Sequence, residues 1–208
     1  MSSSVLCTIM ALSFWIGLIS TYVQGALYTK YRRWLFHVKI LLDFLSYPAS
    51  FLAIALVNYA SITDPFAARL TVIYCIAYSV FSLCIFTCQF AFWGRTYFTF
   101  KLSSRIFPII LSDFLFGLFM NLSTINYAIY YACPAFYKIP ADLSSGEMAF
   151  EFVYYTFTLA VTYSSNSISA AHIVTKIIQI IEICYCYIIV GNVVVKIINE
   201  QKPKSPSK

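Results

Sequence analysis

The chain carries very little charge for its length. Only 11% of its 208 residues are Asp, Glu, Lys or Arg, whereas 61% are hydrophobic and 19% are aromatic. A soluble globule of this composition would expose large apolar patches and aggregate. The composition therefore excludes an ordinary soluble protein and indicates an integral membrane protein.

Residue patterns typical of enzymes and metal centres are also missing. The sequence has no glycine-rich phosphate loop, no His-Glu-x-x-His helix and no nucleophile elbow. Its seven cysteines lack the spacing of a zinc site or a secreted disulfide framework, so we interpret them as reduced packing residues. We therefore expect no enzyme activity, no catalytic residue, no cofactor, no structural metal and no nucleic-acid partner.

Five apolar stretches are long enough to cross a bilayer, because a spanning helix needs roughly 20 predominantly apolar residues. No positive charge precedes the first stretch, and it is longer than the apolar core of a signal peptide, so we predict that it is a transmembrane helix. The five stretches cover about residues 5–28, 40–61, 70–93, 106–133 and 172–198.

Basic residues set the orientation, since short cytoplasmic loops are enriched in Lys and Arg. Eleven of the 14 basic residues lie in the connection 28–39, the connection 94–105 or the C-terminal end from residue 196. We therefore predict that the N-terminus is outside and the C-terminus cytoplasmic, with the plasma membrane as the default location.

A sixth apolar stretch, 148–163, is too short for a full crossing, and a crossing there would place the basic C-terminal tail outside. We predict that this stretch enters from the outer side, stops and returns. Ser144 and Glu147 have the spacing of a capping box, which predicts a helix over about 145–162. Irregular backbone at membrane depth needs surrounding protein or a water-filled cavity, so the polar end of this stretch is expected to face a pore.

The segment YYTFTLAVTYSSNSI, with the helices on either side of it, resembles the pore domain of tetrameric potassium channels. Laid on that family without a gap, the aromatic pair of the pore helix falls on Tyr154 and Tyr155. The threonine that opens the selectivity filter falls on Thr162, and the glutamate of the inner helix falls on Glu182. The alignment covers about 45 residues, whose matched types are individually common.

The filter departs from the family pattern. Where the family has Val-Gly-Tyr-Gly-Asp, this chain has Tyr163, Ser164, Ser165, Asn166 and Ser167. The family's glycines permit the backbone conformations that direct filter carbonyls toward the ion, so strict potassium selectivity is not expected here. The inner-helix glycine is replaced as well, by a cysteine.

The resemblance implies roles for three groups of residues. A hydroxyl- and amide-lined constriction coordinates the permeant ion, aromatic and acidic residues support the pore, and a hinge in the inner helix serves gating. The filter candidates are Thr162, Tyr163, Ser164, Ser165, Asn166 and Ser167; the support candidates are Glu182, Tyr154 and Tyr155; the gating candidates are Cys186 and Gly191. For Glu182, bracing of the pore helix and contact with the ion stay equally open.

Three other charged residues have simpler interpretations. We interpret Asp113, inside the fourth span, as a hydrogen-bonding partner of a neighbouring helix and Asp43 as a surface counter-ion of the basic 28–39 connection. A voltage sensor needs a row of Arg or Lys at three-residue spacing, and the third span has only Arg69 at its outer edge.

The sequence thus predicts an all-α integral membrane protein with five transmembrane helices, and a re-entrant pore helix and filter loop between the fourth and fifth. Its predicted parts are a three-helix scaffold over 1–105, a channel-like pore module over 106–198 and a disordered basic tail over 199–208. The resemblance implies a homotetrameric cation channel in the lipid bilayer, weakly selective for K⁺ or Na⁺. The alternative is a non-conducting, channel-like subunit or interaction protein.

Overall fold

The computed structural model is almost entirely helical over the residues that it describes, which are 3–29, 33–59, 65–96, 107–161 and 168–201. Within these residues the prediction of an all-α chain with six long helices is confirmed. The predicted helix over about 145–162 is observed at Ser145–Val161. The helices are α1 (Ser3–Thr29), α2 (Arg33–Tyr59), α3 (Pro65–Thr96), α4 (Phe107–Ala132), α5 (Ser145–Val161) and α6 (Ile173–Gln201).

Two helices begin earlier than the apolar stretches that predicted them. α2 begins at Arg33 and α3 at Pro65, whereas the stretches begin near residues 40 and 70. An apolar stretch marks only the apolar part of a helix. The helix itself continues into more polar residues, because its backbone hydrogen bonds do not require apolar side chains. Pro65 fits the start of α3, because the first helical residue needs no N–H partner.

A short two-stranded ladder, which the sequence analysis did not predict, joins the chain before α5 to the chain after it. A single 3₁₀ turn, Pro134–Phe136, follows α4, and β1 (Tyr137–Lys138) then pairs antiparallel with β2 (Ser169–Ala170). Tyr137 lies opposite Ala170, and Lys138 lies opposite Ser169. The chain between the strands therefore leaves and returns at one place.

The start of α6 is fastened to the same place. The Phe136 carbonyl accepts hydrogen bonds from the backbone N–H groups of Ala171, at 2.9 Å, and His172, at 3.2 Å. The buried Thr175 hydroxyl donates to the same carbonyl at 2.9 Å. The His172 ring also stacks on the Phe136 ring, with centroids 4.1 Å apart.

The capping box predicted for α5 is confirmed. The Ser144 hydroxyl donates to the Glu147 carboxylate at 2.6 Å, and the Ser144 backbone N–H donates to it at 2.9 Å. These hydrogen bonds, the hydroxyl first, lower the pKa of Glu147 from its ordinary value. A negative charge in the first helical turn also suits the helix dipole, so the cap fixes where α5 begins.

α5 runs antiparallel to α4 and begins near the C-terminal end of that helix. Phe152 packs against Tyr127 and Tyr130, with ring centroids 5.1 and 5.3 Å apart. Further along α5, the Phe157 ring meets Phe119 at 5.3 Å. At 1.5 Å per residue, α5 therefore reaches roughly 20 Å back along α4 from Ala132.

Neighbouring contacts give the directions of the other helices. α1 and α3 run in the same direction, because Ser13 contacts Tyr74 and Gly17 contacts Tyr78. α2 and α4 also share a direction, since the ring of Phe116 stacks on Phe44, at 4.8 Å, and the ring of Tyr127 lies 5.7 Å from Phe51.

Polar side chains fill much of the helix interfaces, while large apolar side chains cover the outside. Many buried hydroxyls donate to a carbonyl of their own helix, as Thr124 does to Met120 at 2.7 Å, so their burial leaves no unpaired donor. Buried polar residues include Ser13, Ser50, Thr71, Ser79, Asn121 and Thr124; strongly exposed apolar residues include Trp15, Phe66, Ile73, Ile180 and Ile188. A soluble protein usually exposes fewer large apolar side chains.

Among the described residues, two segments, His37–Leu56 and Pro65–Ile85, are long and apolar enough to cross a membrane. This test uses length and composition only, and a buried helix of a soluble protein or a signal sequence passes it too. The other predicted spans do not pass it over their described residues, so insertion in a bilayer belongs to the proposal below.

Gly17 allows α1 to approach α3 closely. A Cβ atom at Gly17 would lie 2.6 Å from the Tyr78 hydroxyl oxygen and 3.1 Å from the nearest ring carbon. The Tyr78 ring cannot easily retreat, because it stacks on Tyr74 with centroids 5.8 Å apart. Small residues at such crossings are typical of helices packed in membranes.

We expect Gly17→Ala to destabilise the protein by about 1–3 kcal/mol, because an added methyl in a tight interface forces side chains or backbone to shift. The measurement is the thermal unfolding midpoint of the full chain in detergent micelles. Gly146→Ala is the control, since a Cβ atom there meets nothing within 4 Å. Equal midpoints for the two variants would show that α1 and α3 do not pack as described.

Candidate functional site

The six predicted filter residues lie outside the residues that the structure describes; they are Thr162, Tyr163, Ser164, Ser165, Asn166 and Ser167. The residues on either side are described. Val161, at the end of α5, is exposed, whereas Ile168, just before β2, is fully buried. The six residues therefore connect an exposed helix end to a buried anchor at the ladder.

Two of the three predicted support residues lie together inside the protein. Tyr155 on α5 and Glu182 on α6 are both buried, and Tyr155 packs edge-on against Tyr137 with ring centroids 6.2 Å apart. Tyr154 is 45% exposed, so its side chain faces away from this cluster. Adjacent residues on a helix point about 100° apart, which explains the difference.

Asn126 on α4 joins four elements of the structure. Its side-chain N–H₂ donates to both carboxylate oxygens of Glu182, at 2.9 and 3.0 Å, and lies 3.4 Å from the Thr156 hydroxyl on α5. Its carbonyl oxygen accepts from the Tyr137 hydroxyl of β1 at 2.7 Å. We call Asn126, Tyr137, Thr156 and Glu182 the amide cluster.

The amide cluster is closed to solvent, and all four of its side chains are buried. Burial raises the pKa of Tyr137 above its ordinary value, and the nearby Glu182 carboxyl raises it further. Tyr137 therefore keeps its proton and remains a donor to Asn126. The cluster fixes α5 between α4 and α6 and ties all three helices to the ladder. Glu182 thus links α6 to α4, and both bracing of the pore helix and contact with an ion stay predictions.

Sequence reasoning did not single out Asn126. The available signal was an amide within the apolar stretch of the fourth span, because an unpaired polar group is costly inside a membrane helix. Without the position of Glu182 in space, the partner of Asn126 was not predictable.

The two gating candidates differ in their surroundings. Cys186 is buried and packs with Leu118 and Leu122 of α4. Gly191 lies one turn further along α6, where an added Cβ atom would meet nothing within 4 Å. Cys186 is therefore a contact to α4, and Gly191 lies beyond that contact.

A second polar cluster links α1, α2 and α4. Lys39 and Asp43, one turn apart on α2, form an ion pair, and the Ser20 hydroxyl of α1 also donates to Asp43. The Lys39 Nζ atom lies 3.5 Å from the Asp113 carboxylate on α4. We call Lys39, Asp43 and Asp113 the charge cluster.

The prediction that Asp43 is a surface counter-ion is wrong. Asp43 and Lys39 are both only 5% exposed. The reason is that α2 begins at Arg33, which places Lys39 and Asp43 in its second and third turns, inside the bundle. Asp113 contacts the neighbouring helix α2, as its structural interpretation predicted.

Two further observations concern metal binding and cavities among the described residues. No group of three or more His, Cys, Asp or Glu side chains in those ranges could hold a metal ion. A cavity of about 50 Å³ lies among α1, α2 and α3, and its lining includes Ser20, Asp43, Ser46 and Tyr78.

Comparison of the chain with protein-family models, with curated proteins and with solved structures finds no match. The potassium-channel resemblance therefore rests on the residues of the chain, and a function has to be inferred from its geometry.

We expect Asn126→Ala to destabilise the protein by about 3 kcal/mol, because it leaves the buried Glu182 carboxyl and the Tyr137 hydroxyl without a partner. Glu182→Gln should cost less, since a glutamine carbonyl still accepts from Asn126. Thermal unfolding in detergent micelles measures both.

Ser123→Ala is the matched control for that comparison, since the Ser123 hydroxyl, also buried on α4, donates to a carbonyl of its own helix. A loss of stability for Asn126→Ala no larger than for Ser123→Ala would contradict the role given to the amide cluster.

Proposed function

We propose that α4, α5 and α6 form the pore module of a membrane cation channel, with α4 as the outer helix, α5 as the pore helix and α6 as the inner helix. The observation that carries this proposal is the ladder between β1 and β2. A chain that leaves and returns at one ladder supports an excursion that enters and leaves on one side of the bilayer, whatever the length of its helix.

The direction of α5 supports the same function. α5 begins at its capping box and runs back along α4 into the protein. Its C-terminal end carries the partial negative charge of the helix dipole, which favours a cation. The polar segment 162–167 follows this end in the sequence, and we propose that its hydroxyls and amide coordinate a partly dehydrated ion.

The helix directions suit a chain that crosses the bilayer five times. Such a chain needs α1 and α3 to run one way and α2 and α4 the other, and the contacts agree with parallel pairs of that kind. Exposed apolar side chains along these helices suit lipid. We infer a plasma-membrane protein with its N-terminus outside and its C-terminus in the cytoplasm.

A pore also needs several copies of the module. One chain supplies one pore helix and one inner helix, and these cannot surround an axis. The outer face of α6 is apolar and exposed at Ile173, Ile177, Ile180 and Ile188. In a homotetramer these side chains would meet neighbouring subunits. The permeant ion is K⁺ or Na⁺, with weak selectivity, because Ser164 occupies a position that needs glycine in a potassium filter.

The proposed function makes a prediction about topology. Asp142 and His172 are exposed on either side of the α5 excursion, and we expect Asp142→Cys and His172→Cys to react with a membrane-impermeant thiol reagent from the same, outer side. Each substitution is made in a chain whose native cysteines are replaced by alanine, and labelling is measured on intact cells.

His37→Cys is the control for this labelling, because the exposed His37 lies near the start of α2 and should react only after the cells are permeabilised. Labelling of Asp142→Cys and His172→Cys from opposite sides would refute the re-entrant excursion and the pore with it.

The proposed function also makes a prediction about conduction. Purified protein in liposomes should pass K⁺ and Na⁺ at comparable rates, measured as cation flux and as single-channel current. Replacing Tyr163–Asn166 by Val-Gly-Tyr-Gly should shift the reversal potential toward K⁺, because glycines allow the carbonyls to line the filter.

The variant Asn126→Ala, which loosens the brace of α5, should lower the flux. If neither the natural chain nor the glycine-containing variant passes cations while both fold, the alternative of a non-conducting subunit is correct.

A further inference from the structure

The charge cluster lies where the three-helix scaffold meets the pore module. Lys39 and Asp43 belong to α2, and Asp113 belongs to α4. All three side chains are buried. A buried ion pair is tolerated when its charges balance and its polar atoms are satisfied, and an uncompensated charge is costly.

The charges of this cluster do not balance when every group is ionised. Two carboxylates face one ammonium group, which leaves one negative charge in excess. Among the described residues, the polar groups around the cavity beside Asp43 include the hydroxyls of Ser20 on α1, Tyr47 on α2 and Tyr78 on α3, none of which is cationic. Among the described residues, Lys39 is therefore the cation of the site.

One atom of the cluster also lacks a partner. The Oδ1 atom of Asp113 is buried and accepts no hydrogen bond, while its other oxygen faces Lys39. The two carboxyl groups contact the same ammonium group, because Lys39 Nζ pairs with Asp43 and lies 3.5 Å from Asp113. Two carboxyl groups can form a hydrogen bond only when one of them carries a proton, because an ionised carboxylate has no donor.

We propose that Asp43 and Asp113 share one proton beside Lys39, so that a proton-binding site joins the scaffold to the pore module. The shared proton balances the buried charge and supplies the missing hydrogen bond. This assignment does not depend on conduction, since none of its residues belongs to the predicted filter.

The neighbouring cavity provides a route by which a proton reaches Asp43. The cavity borders Asp43 and is lined in part by the hydroxyl-bearing residues Ser20, Ser46 and Tyr78. A volume of about 50 Å³ exceeds the 10–15 Å³ that a single water needs, and these side chains offer the polar partners that a buried water requires. Loss of the proton would leave two adjacent carboxylates and weaken the contact between α2 and α4.

Infrared spectroscopy of the full chain tests the proposal. The protein is produced with aspartate labelled at its side-chain carboxyl carbon, so that Glu182 does not contribute. At neutral pH we expect one protonated aspartic acid per chain, recognised by an isotope-shifted C=O band that moves in deuterated water. Asp113→Asn and Asp43→Asn should each remove that band.

Asp142→Asn is the control, because Asp142 is exposed and should leave the band unchanged. Absence of a protonated aspartic acid in the unaltered protein would overturn the proposal, and this readout needs no variant to fold. Persistence of the band in both Asp113→Asn and Asp43→Asn would overturn it as well.

Thermal unfolding gives a second measurement. Because the folded state holds a proton that the unfolded chain releases, stability should fall as the pH rises through the titration of the site. Asp113→Asn carries an amide in place of the second carboxyl, so this part of the pH dependence should disappear. An unchanged pH profile in a folded Asp113→Asn variant would also count against the shared proton.

Discussion

The hydrogen bonds around Phe136 and the ladder beside it decide where the second half of the chain can go. Tyr137 and Lys138 pair with Ala170 and Ser169, so the chain between them is a closed excursion that begins and ends at one level. Without this pairing, α5 would be an ordinary apolar helix, and its length alone would not decide whether it crosses. The amide cluster adds a second constraint, because it holds α5 against α4 and α6 through side chains that share one carboxamide. Backbone pairing fixes where the chain leaves and returns, and the buried Asn126 carboxamide fixes how α5 packs between α4 and α6.

The helix interfaces show how such a bundle gains specificity when apolar burial cannot supply it. If lipid covers the outside, apolar side chains gain little by moving inward, and close packing and hydrogen bonds must select the partners. Gly17 supplies close packing between α1 and α3, and the charge cluster supplies polar contact between α2 and α4. The amide cluster does the same for α4, α5 and α6. These three helix contacts are thus stabilised by three different kinds of interaction.

Much of the fold was predictable because the relevant signals are local. Apolar stretches predicted the long helices, and the Ser144–Glu147 spacing predicted the start of α5 to within a residue. The ladder was not predictable, since two-residue strands carry no periodic pattern. Asn126 was passed over because its partner Glu182 lies more than 50 residues further along the chain. Asp43 was misjudged because its partner Ser20 lies on another helix. Local pattern gives the elements, whereas the partners of buried polar groups follow only from packing.

The attachment of α6 is uneven along its length. Its first turn is fastened to the Phe136 carbonyl, and near its middle Tyr185 hydrogen-bonds Thr87 of α3 while Cys186 packs on α4. Beyond that point Ile188 and Val195 are exposed, and Gly191 has open space around it. A helix that is held at its first turn and near its middle bends most easily at its C-terminal end. A force applied near Gln201 would therefore displace the C-terminal part of α6 more than its first turn at the ladder.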